Sequence, residues 1–204
     1  MMKSRFLLAA ALFLALCLPA RADRVLDAFV AKASSSTMEF SFTLRSPDVE
    51  LSGSAKVRGS SYIIDVLDIE IWSDGNLRWS VDRQAREVVV EEPDAAGTAA
   101  DPARILSDFE SSFSLKSSDS AVFRGVECHA VNLLPKTVPD GSGISSVTLY
   151  FSNGQLRGMT VCLDDGSSNE IEISGLRFSD RSLDAHFDTS SLDQDWLVTD
   201  LRGF

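Results

Sequence analysis

Histidine, cysteine and proline are scarce in this 204-residue chain, which carries two His, three Cys and six Pro. So few soft ligands argue against a Cys/His zinc site inside the fold. Basic residues are short as well: 19 Lys and Arg stand against 30 Asp and Glu, a formal net charge of -11. A nucleic-acid binder needs a basic footprint for phosphates, and an anionic membrane surface attracts the same footprint, so both are disfavoured as main partners. No Gly-x-Gly-x-x-Gly run follows a strand-like stretch, which removes a dinucleotide site. What is present is a hydrophobic fraction of 44% with only 12 Gly, which argues against disorder and collagen-like repeats. The length leaves room for one good-sized core.

The N-terminus reads as a secretory signal peptide. Lys3 and Arg5 precede an unbroken apolar run from Phe6 to Leu18, and Ala20-Arg21-Ala22 offers small residues where a signal peptidase needs them. That run is too short for a comfortable membrane span. The expectation is cleavage before Asp23, giving residues 1–22 as signal and 23–204 as a single domain with 16 basic against 30 acidic residues. Cys128 and Cys162 then remain, as either a disulfide or two buried thiols.

Along the domain, Val25, Leu26, Phe29 and Val30 have helical spacing within Arg24–Lys32. The period then drops to two. Met38, Phe40, Phe42 and Leu44 alternate with polar residues, and Val49 to Val57, Tyr62 to Leu67, Ile69 to Trp72, Leu77 to Val81 and Glu87 to Glu91 continue as strands. Asp74-Gly75, Asn153-Gly154 and Asp165-Gly166 mark turns. Asp101-Pro102 opens a second short helix with Ile105, Leu106 and Phe109 on one face. Strands resume at 113–116, 127–133, 144–151, 155–163 and 170–178, and the tail allows one closing strand. The fold class is therefore mainly β: a curled antiparallel sheet of about eleven strands with short helices over its open side.

Catalytic chemistry finds little support. His129 follows Cys128 directly, and successive strand residues point to opposite faces, which disfavours a Cys/His pair. No Gly-x-Ser-x-Gly elbow occurs. The close acid pairs, such as Asp164-Asp165 and Asp193 with Asp195, lie in or beside turns, where Asp serves the backbone. No catalytic residue, metal site or cofactor is assigned, and the chain is read as not an enzyme. The aromatic residues remain. On a curled sheet Phe40, Phe42, Trp72, Trp79 and Phe151 fall on the concave side, as either a packed core or the lining of a lipid-sized cavity.

The order of these pieces resembles the LolA family of periplasmic lipoprotein carriers. The pieces are the short helix at Arg24–Lys32, the Phe-rich strand Met38–Leu44, Gly53–Val57, the hairpin Ser73-Asp74-Gly75-Asn76-Leu77-Arg78-Trp79, the Pro102–Phe109 helix and the stretch Met159–Gly166. The resemblance implies an incomplete barrel with a helical lid over a hydrophobic cavity. Its lining residues would be Phe40, Phe42, Trp72, Trp79, Phe151 and Met159, with Ile105, Leu106 and Phe109 on the lid. It further implies a periplasmic monomer that takes the acyl chains of lipoproteins, or another amphiphile, from an inner-membrane lipoprotein-releasing transporter. An outer-membrane acceptor would receive them. The family places an arginine after an aromatic residue near the position of Tyr62-Ile63-Ile64, and none stands there. The alternative is a periplasmic lipid-binding sensor or scaffold domain of the same fold with no transfer role.

Overall fold

The computed structural model describes residues 23–92, 112–136 and 143–203. Helix α1 spans Arg24–Ser35 and is followed by β1 (Thr37–Arg45), β2 (Glu50–Arg58), β3 (Ser61–Val66), β4 (Ile69–Ser73), β5 (Arg78–Asp82) and β6 (Glu87–Glu91). After the 93–111 segment come β7 (Phe113–Phe123), β8 (Val126–Pro135), β9 (Ile144–Ser152), β10 (Gln155–Leu163) and β11 (Ser168–Ser179). A single 3-10 turn, Thr189–Ser191, precedes β12 (Leu197–Asp200). The expected helix with Ile105, Leu106 and Phe109, and the signal peptide, lie outside the described residues.

The strands form one sheet in the order β12-β6-β5-β4-β3-β2-β1-β11-β10-β9-β8-β7. This corrects the expected curled, incomplete barrel of about eleven strands with short helices as a lid. Among the described residues the sheet has twelve strands and is open, with β12 and β7 as unjoined edges. It is mixed, because β12 pairs with β6 in parallel while the other ladders are antiparallel. Among the described residues one long helix covers it.

The register explains why no one-sided cup forms. Phe40 pairs with Ala55, Ala55 with Ile64 and Ile64 with Ile71, so these four share the face that carries α1. Trp72 follows Ile71 and therefore points the other way, with its cross-strand partner Trp79. Trp79, Val81, Val88 and Val90 form a second, smaller core on that other face, against Trp72, Leu77, Phe187, Leu192 and Trp196. The tail lies across this face before running up to β6, which brings β12 in parallel. Buried surface thus changes sides across the width of the sheet, and the sheet needs cover on both faces.

The main core lies between α1 and the helix face. Leu26, Phe29 and Ala33 pack on Met38, Phe40, Phe42, Val57, Leu149, Phe151, Met159 and Ile173. Phe29 meets the rings of Phe151 and Phe178 edge-on, with centroids 5.5 and 6.2 Å away. At Gly53 a methyl group would overlap the Asp65 carbonyl oxygen and come within 2.8 Å of Phe42 Cζ. The missing side chain is what lets the Phe42 ring lie on β2. Asn153 and Gly154 both hold positive φ, 51° and 73°, as a tight hairpin turn between β9 and β10 requires. Cys128 and Cys162 are both free thiols, on β8 and β10 with β9 between them.

Candidate functional site

The site begins with how α1 is anchored. Asp23 is the N-cap: its Oδ1 accepts from the Val25 and Leu26 amides, each at 3.0 Å. His129, on β8, donates from Nε2 to Asp23 Oδ2 at 2.7 Å, and the Ser118 hydroxyl on β7 donates to the same carboxylate. Burial pushes the Asp23 carboxyl up, but the Leu26 amide, His129 and Ser118 outweigh it and hold the carboxyl below its ordinary value. One buried carboxylate therefore closes the first turn of α1 and ties it to the β7–β8 edge. Loss of such a cap costs about 0.5–2 kcal/mol.

Beyond this anchor the helix stands clear of the sheet edge and leaves an open groove of about 330 Å³. Leu26, Asp27, Val30 and Ala31 of α1 form one wall, and Phe113 and Leu115 of β7 with Leu133 of β8 form the other. Leu115 and Leu133 are cross-strand partners, so their side chains present one continuous apolar surface to the helix. The volume is at the lower end of the range for small-molecule sites, about 300–1,000 Å³. Among the described lining residues only Asp27 is charged. The groove mixes polar and apolar surface and is open to solvent on one side; each methylene that a bound chain buried there would contribute about 0.8 kcal/mol.

The structure places the expected site residues in two regions, with three more outside the described residues. Phe40, Phe42, Phe151 and Met159 are brought together under α1, but as close-packed core, with Phe151 and Met159 only 2% and 0% exposed. Trp72 and Trp79 sit on the opposite face beneath the tail, where Trp72 meets Phe187 edge-on at 5.6 Å and donates from Nε1 to Glu70 at 3.0 Å. Ile105, Leu106 and Phe109 lie outside the described residues. The groove residues Ala31, Leu115 and Leu133 were not singled out from sequence; Asp23 ahead of an amphipathic helix was the readable signal for the anchor.

A second depression, of about 430 Å³, lies on the tail face over the bulge where β1 and β11 shift register. Its lining is mixed: Glu39, Ser41, Ser54, Lys56 and Arg177 stand beside Phe40, Ala55 and Leu176, with Arg177 3.8 Å from Glu39. The second histidine, His186, lies 3.2 Å from Asp74, whose carboxylate also caps the β4–β5 turn through the Asn76 and Leu77 amides. Each imidazole thus serves a carboxylate that organises backbone. Among the described residues no three His, Cys, Asp or Glu side chains gather as a metal site, and no helix is long and apolar enough to cross a membrane.

No protein-family model matches the chain, and no curated protein matches it. Solved structures do. A conserved protein of Thermus thermophilus superposes with a TM-score of 0.53 at 10% identity, covering 86% of this chain and 96% of its own. MucB follows at 0.47 and 11% identity, over 81% of this chain, which spans 62% of MucB. A LolA superfamily protein of Nitrosomonas europaea gives 0.39 and 10%, covering 78% and 94%. At such identities the likeness is one of fold, and it is carried by the Thermus protein.

Proposed function

We propose that the chain is an exported, periplasmic binder of amphiphiles that holds one acyl chain in the groove between α1 and the β7–β8 edge. The observation that carries this is the groove itself: an open cleft walled mainly by apolar side chains of α1, β7 and β8, beside a helix whose other contacts are close-packed. The signal-like residues 1–22 support export. The finer reading is a lipoprotein carrier, in which a lipid-modified protein reaches the groove from an inner-membrane transporter and leaves for an outer-membrane acceptor. A cleft closed on one side only serves that traffic, since release must remain possible.

A specific observation also favours the sensor or scaffold reading. The β12 edge exposes Leu197, Val198 and Leu201 together, apolar side chains at a strand edge that is unpaired among the described residues, of the kind that recruits a protein partner. Both readings share the groove as lipid site. The test is organic extraction and mass spectrometry of the chain exported in a bacterial host and purified without detergent. An acyl-chain compound at up to one per protein is expected. A chain that is empty and also takes up no alkyl ligand contradicts the proposal.

A further inference from the structure

The groove has one charged group along its described lining, and that group is an acid. Asp27 lies in the first turn of α1, between Leu26 and the Val30–Ala31 pair that forms the helix wall. Its carboxylate makes no side-chain hydrogen bond or ion pair among the described residues; Arg24 stands one helical turn before it, and the positive end of α1 lies on its side. An alkyl chain laid along Val30 and Leu115 would keep its polar head in water, within reach of Asp27, the charged residue of the described lining.

We infer that Asp27 makes the groove select by head group, accepting chains whose head is neutral or cationic and disfavouring a free carboxylate. The inference rests on the proposed lipid-binding role and names the ligand class within it. Acyl chains joined through a neutral ester or amide, as on a lipid-modified protein, fit; free fatty acids do not. The physical cause is like-charge repulsion at short range near a water-exposed mouth, enough for about a threefold change in affinity in a water-like dielectric and more as water is excluded. The effect fades as ionic strength rises.

The experiment measures binding of laurate, dodecyl maltoside and dodecyltrimethylammonium, each below its micelle concentration, to the delipidated mature chain at low salt. The three share a chain length and differ in head charge. The expected order is the cationic and neutral heads ahead of laurate by about threefold or more. Asp27→Asn should narrow the gap, and Asp27→Lys should move laurate ahead of the ammonium. Asp48→Lys, in the exposed turn between β1 and β2, makes the same change in net charge far from the groove and should leave the order unchanged. Equal binding of all three with no response to Asp27→Lys overturns the inference while leaving the lipid site intact. An equal response to Asp48→Lys overturns it too, because net charge is then the cause. Failure of all three ligands to bind defeats the lipid-binding role itself.

Discussion

Ala31→Trp is expected to lower affinity for an alkyl-chain ligand more than tenfold while the protein stays folded. Ala31 lies on the exposed flank of α1 and lines the groove without belonging to the packed core. An indole there occupies space that the ligand needs. Excluding only two methylenes costs about 1.6 kcal/mol at 0.8 kcal/mol each, which already exceeds a factor of ten. The cost to the helix is small, because Trp is less favourable than Ala by at most about 0.7 kcal/mol. Titration of the variant with dodecyl maltoside, beside a urea melt, separates the two effects. Unchanged affinity in a folded variant would place the ligand elsewhere.

The second large effect concerns stability rather than binding. Phe42→Ala should reduce the free energy of unfolding by about 3–5 kcal/mol, as deletion of a buried ring does elsewhere. Phe42 is 6% exposed, pairs with Ile173 on β11 and covers Gly53 on β2, so its ring joins the two halves of the sheet at β1. Against a total of about 5–15 kcal/mol this is a large share. The urea midpoint should fall steeply, while protein that remains folded binds an alkyl ligand with its original affinity. The opposite outcome, near-normal stability with altered affinity, would mean that Phe42 lines ligand space rather than filling a core.

This contrast marks where reading the sequence stops. Period-two alternation from Met38 to Leu44 identified β1 and its buried side, and Asn153-Gly154 identified the turn between β9 and β10. The helix expected at Arg24–Lys32 runs on to Ser35. Alternation alone does not say which face of the sheet a given strand buries, because that depends on pairing register. The pairing of Ile64 with Ile71 sends Trp72 and Trp79 to the tail face, although their spacing is as regular as that of Phe40 and Phe42. The parallel placement of β12 depends on how the tail packs over those tryptophans, a contact between residues more than a hundred positions apart. The groove is a gap between elements, and it becomes visible only once α1 is anchored at Asp23 and His129 beside β8.

The face switch also gives the two aromatic groups separate duties. The helix-face cluster holds α1, and so sets one wall of the groove; the tail-face cluster holds the C-terminal segment against β4, β5 and β6. The proposed lipid site therefore lies on the flank of the main core, between helix and sheet edge, rather than in an interior cavity beneath the helix.

Photo-crosslinking with a dodecyl maltoside analogue carrying a diazirine in its alkyl chain, followed by digestion and mass spectrometry, tests that placement most directly. The predicted adducts fall on α1 between Leu26 and Ala31 and on the facing positions Phe113, Leu115 and Leu133. Adducts centred on Trp72 and Trp79, or on the depression between Lys56 and Arg177, would contradict it.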